Sequence, residues 1–332
     1  MARFRPKKVM VTNNKGGVGK TTLCYNLGVE LARKGLSVAL VDLDPQCNLT
    51  LQALKAGEVP PEGIGAVIRP QVEGTGDIDL SVEPMRIRND YNLWLVPGSI
   101  DLTVFESALL SGFTAAIAGE PRGYTMTSAI SRYLNHIAKE FDIDVMLMDT
   151  SPSLGVLNRV IFLSSDMFFV PIAADSFSVQ GVDNLGKVLT QWKKQWKATA
   201  VYLGQDTSAS RVLAGDPLFI GYIENGYNVY SGRIVKRQRD WLDEIPQHVR
   251  HALSLQHGRN GLVEESWKTP LGEMRDLGQL TAISMKKHVA IQELSATSTP
   301  ELNLQGTKQL WNDAKTLLSK TADRLIDLFE NN

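Results

Sequence analysis

The chain has 332 residues, of which 43% are hydrophobic and 21% are charged, and its formal net charge is −1. This balance favours a soluble protein with a large core, and it excludes a molecule whose whole surface attracts nucleic acid or an anionic membrane. Any such surface must be a local patch. The two cysteines, Cys24 and Cys47, are too few for a disulfide framework and fit a reducing cytoplasm.

A glycine-rich loop lies near the N terminus, between an apolar run at residues 9–11 and a helical pattern that begins at Leu23. Strand, glycine loop and helix form the context that a phosphate-binding loop requires. Lys20 is placed to bond the β- and γ-phosphates, and the Thr21 hydroxyl is placed to ligate Mg²⁺. The sequence therefore predicts a nucleotide-binding loop made of Gly16, Gly17, Val18, Gly19, Lys20, Thr21 and Thr22.

Two later apolar runs end in carboxylates. The run at residues 36–43 contains Asp42 near its end and is followed by Asp44. The run at residues 143–148 is followed directly by Asp149. Ligands collect at the carboxyl ends of strands in open α/β sheets, and an aspartate at such a position holds Mg²⁺ in P-loop enzymes. Together with the glycine loop, these runs predict an α/β P-loop fold with a predominantly parallel, twisted sheet and helices on both faces.

The motifs together resemble the deviant Walker A ATPases of the ParA/MinD group. Lys15 stands where that group's KGGxGK[ST] pattern has its first lysine, and residues 42–50 match its DxDPQxNxT pattern. Residues 149–153 are similar to its DxxPP[ST] pattern, although Ser151 replaces the first proline. That replacement puts in doubt the stiffness of a loop that senses the γ-phosphate in relatives.

The resemblance implies a slow, Mg²⁺-dependent ATPase that dimerises face to face around two ATP molecules and is stimulated by a partner. It implies that Lys15 reaches the nucleotide of the other subunit and that Asp44 positions the attacking water. It gives Asp42 a supporting role near Mg²⁺. It also suggests that Asn225, at the end of an apolar run, contacts adenine.

The chain is expected to form a single ATPase domain over residues 1–332. Within it, we expect a loop-rich insertion at about 52–90 and a C-terminal helical extension at about 271–332, ending in a helix over 307–329. Proline and glycine punctuation in the first segment and helical periodicity in the second underlie this division. Irregular structure is expected from Phe113 to Gly123, and a strand with a polar loop over residues 198–218.

For ParA-type proteins, the resemblance further implies that the ATP-bound dimer binds double-stranded DNA without sequence preference. A ParB-type partner then stimulates hydrolysis, and plasmid or chromosomal DNA is segregated or positioned in a bacterial or archaeal cytoplasm, at the nucleoid. Such binding needs Lys and Arg side chains that face phosphates. The candidates are Arg233, Lys236, Arg237, Arg239, Lys193, Lys194 and Lys197.

Two alternatives stay open at this point. A MinD-like ATPase would use an amphipathic C-terminal helix to bind a membrane, but Asp323, Asp327 and Glu330 in this helix would be repelled by an anionic surface, so no membrane contact is expected. The second alternative is a nucleotide-gated scaffold or regulator that positions a protein assembly. It would keep the nucleotide site and lack the DNA-binding surface.

Overall fold

A computed structural model describes residues 4–55, 57–201, 212–230, 233–253, 268–297, 299–303 and 305–332. The strands in these ranges are β1 (Lys7–Val11), β2 (Val38–Leu43), β3 (Met85–Arg88), β4 (Leu93–Val96), β5 (Val145–Thr150), β6 (Met167–Ala173), β7 (Leu218–Tyr227), β8 (Val229–Tyr230), β9 (Arg233–Ile234) and β10 (Gly272–Arg275). The helices are α1 (Lys20–Arg33), α2 (Asn48–Ala53), α3 (Ile64–Glu73), α4 (Leu102–Ile117), α5 (Pro121–Thr127), α6 (Ala129–Glu140), α7 (Val156–Ser164), α8 (Ser176–Val201), α9 (Lys236–Leu253), α10 (Gln279–Lys287) and α11 (Gln305–Glu330).

Eight strands form one sheet in the order β10-β7-β6-β1-β5-β2-β4-β3. The pairings along the sheet are parallel from β10 to β4, and only the edge strand β3 runs antiparallel to its neighbour. Strands β1, β2 and β5 are buried along their whole length, which explains the apolar runs at residues 9–11, 38–41 and 145–148. The predicted fold class is therefore confirmed, and β3 is an element that the sequence did not predict.

Helices cover both faces of the sheet and enclose two hydrophobic cores. One core contains side chains from α3 to α9, and the other contains side chains from α1, α2, α10 and α11. None of the helices in the described ranges combines the length and the apolarity needed to cross a bilayer.

Two helices are longer than the sequence suggested. Helix α4 continues through Phe113 to Ile117, where Phe113 and Ala116 are buried one turn apart, and α5 begins at Pro121, so the irregular structure predicted from Phe113 to Gly123 is wrong except at residues 118–120. Helix α8 begins at Ser176 and continues to Val201, so no strand begins at residue 198. The polar loop expected beyond it lies largely in residues 202–211, outside the described part of the chain.

The two segments predicted as an insertion and a C-terminal extension contain the following helices and strands. Residues 52–90 include the end of α2, all of α3 and strand β3. Residues 271–332 include β10, α10, α11 and two short 3-10 helices, Ile291–Glu293 and Pro300–Asn303. Helix α11 begins at Gln305, close to the predicted start. The description of these segments as an insertion and an extension remains a prediction.

A buried polar cluster fastens the C-terminal segment to α1 and β3. Arg88 donates from Nη2 to the Glu293 carboxylate at 2.9 Å and to the Tyr25 hydroxyl at 2.8 Å. The Asn26 side-chain oxygen accepts the backbone N–H of Ile291 at 2.8 Å. Since Tyr25 and Asn26 lie on α1, this cluster fixes the helix that follows the glycine loop.

Candidate nucleotide site

The glycine loop connects β1 to α1, and its last glycine, Gly19, adopts a backbone conformation that requires glycine. Gly19 has φ 85°, and a Cβ placed on it would lie 2.3 Å from the Asn225 side-chain nitrogen. Helix α1 begins directly afterwards at Lys20. The unsatisfied N–H groups of its first turn and the helix dipole therefore face the loop, as a phosphate-binding site requires.

A cavity of about 380 Å³ opens beside the loop. Its walls come from three chain segments that follow β1, β2 and β5, all of which end at the same edge of the sheet. The lining residues are Gly16, Gly17, Gly19, Lys20, Thr21, Thr22, Asp44, Gln46, Asn48, Thr150 and Pro152. The parallel topology thus brings together motifs that are more than a hundred residues apart in sequence.

Lys20 is buried at the N-terminus of α1, and its ammonium donates to the backbone oxygen of Lys15 at 3.1 Å. Burial lowers the pKa of Lys20, while the carboxylates of Asp149 and Asp44 act in the opposite direction. An ammonium held in a partly desolvated site between backbone amides interacts strongly with phosphate oxygens. Lys20 therefore lies where its predicted role requires.

Thr21 and Asp149 form the oxygen pair expected at a magnesium site. The Thr21 hydroxyl donates to Asp149 Oδ2 at 2.7 Å. Asp149 Oδ1 is buried, and no hydrogen-bond donor in the described ranges reaches it. Burial raises the pKa of Asp149 to about 7, and the charges of Asp42 and Asp44 add to this effect. A buried carboxylate with an unused oxygen beside a hydroxyl matches the ligands that Mg²⁺ prefers.

The two carboxylates after β2 occupy different environments. Asp44 lines the cavity, and its Oδ1 accepts the backbone N–H of Gln46 at 3.0 Å. Asp42 does not line it; Oδ2 accepts the Thr50 amide at 2.8 Å and the Thr50 hydroxyl at 2.7 Å. Burial raises the pKa of Asp42 to about 6. These contacts give Asp42 a structural role in the turn into α2, and its role near Mg²⁺ remains a prediction.

Lys15 contacts residues of its own chain that the sequence had not singled out. Its ammonium donates to both oxygens of Asp175, at 2.6 and 2.7 Å, and to the Ser178 hydroxyl at 3.0 Å. Partial burial acts to raise the pKa of Asp175, but the bonds from Lys15 and Ser178 outweigh it and lower the pKa. Asp175 also accepts the Ser178 amide at 2.9 Å, so it caps α8. The Asp-x-x-Ser spacing was a visible capping signal in the sequence.

The loop after β5 is restrained by Asn158, another residue that the sequence analysis missed. Asn158 Nδ2 donates to the backbone oxygens of Ser151 and Ser153, each at 2.7 Å. The Thr150 hydroxyl donates to the Val11 carbonyl at 2.9 Å and joins this loop to β1. These bonds supply a restraint at the place where Ser151 replaces the proline of the related pattern.

Asn225 lies near the end of β7 and contacts the glycine loop directly. Its Nδ2 donates to the Val18 carbonyl at 2.8 Å. The residue therefore lies beside the candidate nucleotide site, and its contact with adenine remains a prediction.

The DNA-binding candidates divide into two groups. Lys193 is buried and pairs with Asp216, and Lys197 pairs with the same carboxylate at 3.0 Å. The prediction is wrong for Lys193, because a buried ammonium with its own counter-ion is not offered to DNA. The other described candidates are Arg233 on β9 and the exposed side chains of Lys194, Lys236, Arg237 and Arg239.

The parallel sheet, the glycine loop at a helix N-terminus and the Thr21–Asp149 pair define a P-loop nucleotide-binding protein with a second loop lysine. A family model described as an AAA domain matches residues 6–201, and the chain belongs to this family. With the relatives below, this match confirms the resemblance to the ParA/MinD group.

Two relatives illustrate the similarity. The sporulation initiation inhibitor protein Soj of Bacillus subtilis is 28% identical over 264 residues, which cover 76% of this chain and 89% of that protein. A probable plasmid-partitioning protein ParA of Thermus thermophilus is 36% identical over 174 residues, which cover 52% of this chain and 46% of that protein. Uncharacterized relatives from Methanocaldococcus jannaschii and Pseudomonas putida are matched over 61% and 66% of their lengths, slightly less than two thirds.

Solved structures share the fold. The ATP complex of a Cyanothece McdA variant superposes with a TM-score of 0.62 at 15% identity, covering 95% of this chain and 97% of that chain. A cobyrinic acid a,c-diamide synthase from Mycobacterium smegmatis, with a bound ATP analogue and magnesium, gives a TM-score of 0.50 at 26% identity, with coverages of 73% and 82%. ATP and Mg²⁺ are therefore ligands of this kind of site.

Proposed function

We propose that this protein is a Mg²⁺-dependent ATPase that dimerises face to face when it binds ATP and then binds DNA to segregate or position it. The observation that carries the proposal is a cavity lined by Lys20, Thr21 and Asp44, with Asp149 bonded to Thr21 and the backbone of Lys15 bonded to Lys20. The similarity to proteins described as Soj and plasmid-partitioning ParA supports the choice of DNA segregation.

In this mechanism, each side chain has a separate task. The loop amides and Lys20 hold the phosphates, and Thr21 and Asp149 hold Mg²⁺, which neutralises developing charge when it is bound. Asp44 lines the same cavity and orients the attacking water. Turnover is slow until a partner protein of the ParB type completes the site.

Lys15 acts across the dimer interface, and it must first leave Asp175. The two side chains are 33% and 39% exposed, and an ion pair of this kind is worth about 1 kcal/mol or less. The triphosphate carries several negative charges where Asp175 carries one, so ATP on the facing subunit can recruit Lys15. Dimerisation then depends on ATP.

The described cations of α9 support DNA binding. Lys236, Arg237 and Arg239 are exposed in the first turn of this helix. The helix dipole disfavours positive charge at a helix N-terminus, so these side chains do not stabilise the helix. We infer that they face phosphates and that binding weakens steeply with salt. The protein acts in a bacterial or archaeal cytoplasm, at the nucleoid.

Membrane binding through the last helix is a weaker candidate. Leu318, Ala322, Leu325 and Phe329 of α11 are buried in the core beside α1, so the apolar face of this helix is already covered. A nucleotide-gated scaffold that positions a protein assembly is the remaining alternative. It differs from our proposal in the absence of DNA binding.

The test is a gel shift on non-specific duplex DNA with Asp44→Ala protein, which should bind ATP without hydrolysing it. We expect a shift with ATP and none with ADP, weaker at higher salt and absent with Lys20→Ala. Charge reversal of Lys236 and Arg237 should abolish the shift. Reversal of Lys308 and Lys320, exposed on α11 at the other face of the sheet, is the matched control and should leave the shift intact.

Two outcomes would contradict the proposal at different steps. If Asp44→Ala stays monomeric with ATP and Mg²⁺, the face-to-face dimer is wrong. If it dimerises with ATP but shifts no DNA at any salt concentration, the protein is a scaffold or regulator instead.

A further inference from the structure

A second cavity, of about 420 Å³, opens at the edge of the sheet opposite the glycine loop. Its walls include Lys8 at the start of β1, Met146 at the start of β5 and Asp166 just before β6. Because these strands are parallel, their first residues meet at one edge, and their last residues meet at the nucleotide site. Strand β1 separates the two sites by five residues, about 16 Å.

The Lys8 ammonium lies in the wall of this cavity, and no carboxylate in the described ranges serves as its counter-ion. The residue is only 8% exposed, and its ammonium donates to the Ser131 hydroxyl at 3.1 Å and to the Asn135 side-chain oxygen at 3.0 Å. Both acceptors are neutral, and no carboxylate in the described ranges forms an ion pair with this ammonium. An ammonium has three protons to donate, and only two of them have an acceptor among the residues that the structure describes. Burial lowers the pKa of Lys8, and the charge of Asp166 opposes this effect.

The neighbouring acids offset only part of the positive charge in the cavity wall. Asp166 uses its side chain to accept the backbone N–H of Lys8 at 2.8 Å, and its own N–H donates to the Lys8 carbonyl at 2.9 Å. It therefore fastens β6 to β1. Arg5 and Lys139 stand exposed at the rim and, with Lys8, outnumber Asp142 and Asp166. The cavity thus has an excess of positive charge, deepest at Lys8.

We propose that this cavity binds a small anion through a phosphate or carboxylate group, with Lys8 bonding the anionic oxygens and Arg5 and Lys139 closing over them. A buried ammonium attracts an anion more strongly than an exposed one, because the surroundings screen the charge less. The apolar side chains of Ile143 and Met146 offer contact to the carbon part of such a ligand. This site is separate from the ATP site and does not depend on the proposed function.

The test measures anion binding in a protein whose glycine loop no longer holds phosphate. Lys20→Ala protein is titrated by calorimetry with inorganic phosphate and, separately, with butyrate, at constant ionic strength and with chloride as the counter-anion. We expect one of the two anions to bind. Adding Lys8→Met should weaken that binding about tenfold or more, because a charge-assisted hydrogen bond is lost.

Lys139→Glu gives a second, surface variant whose fold is not at risk, and it should weaken binding severalfold. Lys320→Glu, exposed on α11, is the matched control and should bind as Lys20→Ala does. Preference for phosphate or for butyrate identifies the ligand group. The proposal is overturned if neither anion binds, or if both Lys8→Met and Lys139→Glu leave the affinity unchanged.

Discussion

Glu224 is a buried carboxyl group whose ionisation should destabilise the folded protein. It lies on β7, only 7% exposed, and pairs in register with Glu273 on β10. Burial raises its pKa to about 7, and the charges of Glu273 and Asp243 add to this effect while Arg239 opposes it. We predict that Glu224→Gln, which keeps the shape and removes the charge, stabilises the protein above neutral pH.

The sign and size of the predicted stability difference follow from two pKa values of Glu224, the ordinary value of 4.5 and the value of about 7 in the folded protein. The raised pKa means that the folded state binds the proton more tightly, so the favourable contribution is complete below pH 4.5 and is lost as pH rises through about 7. Each pH unit between these values corresponds to about 1.4 kcal/mol, so the interval amounts to roughly 3 kcal/mol. At pH 8, the variant should exceed the wild type by up to that amount.

The assay is urea unfolding of both proteins at several pH values between 4.5 and 8, with the difference in unfolding free energy plotted against pH. The difference should be small at pH 4.5 and should grow toward pH 8. Glu273→Gln is the control: its side chain is exposed, so it should give a smaller gain, through removal of one repelling charge. A difference that does not change with pH, or a variant less stable at pH 8, would refute the reasoning.

Two further predictions concern the loop and the C-terminal segment. Gly19→Ala should weaken binding of a fluorescent ATP analogue about tenfold, because alanine is strained at φ 85° and its Cβ would displace the Asn225 side chain, whereas Gly306→Ala on α11 meets no atom within 4 Å and should bind normally; equal losses would contradict this. Glu293→Ala should lower the free energy of unfolding by about 2 kcal/mol, because it leaves the half-buried Arg88 guanidinium without its carboxylate. Adding Arg88→Met should recover most of this loss in urea unfolding, and a further loss would show that the ion pair is not the cause.

The nucleotide site was largely predictable from sequence. The strand, loop and helix around Lys20 and Thr21 follow one another directly, so local pattern alone identifies them. Asp44 and Asp149 could be added because each ends an apolar strand, and parallel strands present their carboxyl ends at one edge. Neither step required knowledge of the strand order.

The tertiary structure alone decided which distant side chains meet. Lys15 and Asp175 are 160 positions apart, and Asn225 lies 207 positions from Val18. These contacts exist because β6 lies beside β1 and β7 lies beside β6, an order that hydrophobic periodicity does not encode.

Burial of charge was equally hidden in the sequence. Lys193 and Lys197 belong to one basic run, yet Lys193 is buried against Asp216 and Lys197 is exposed. In the sequence, Lys8 is one of several basic residues near the N terminus. Only the fold shows that it lies in β1 and is buried against α6. The sequence determined the chemistry of the nucleotide site, because its residues are set by local spacing. The structure determined which charges are free, because that depends on neighbours supplied by the whole fold.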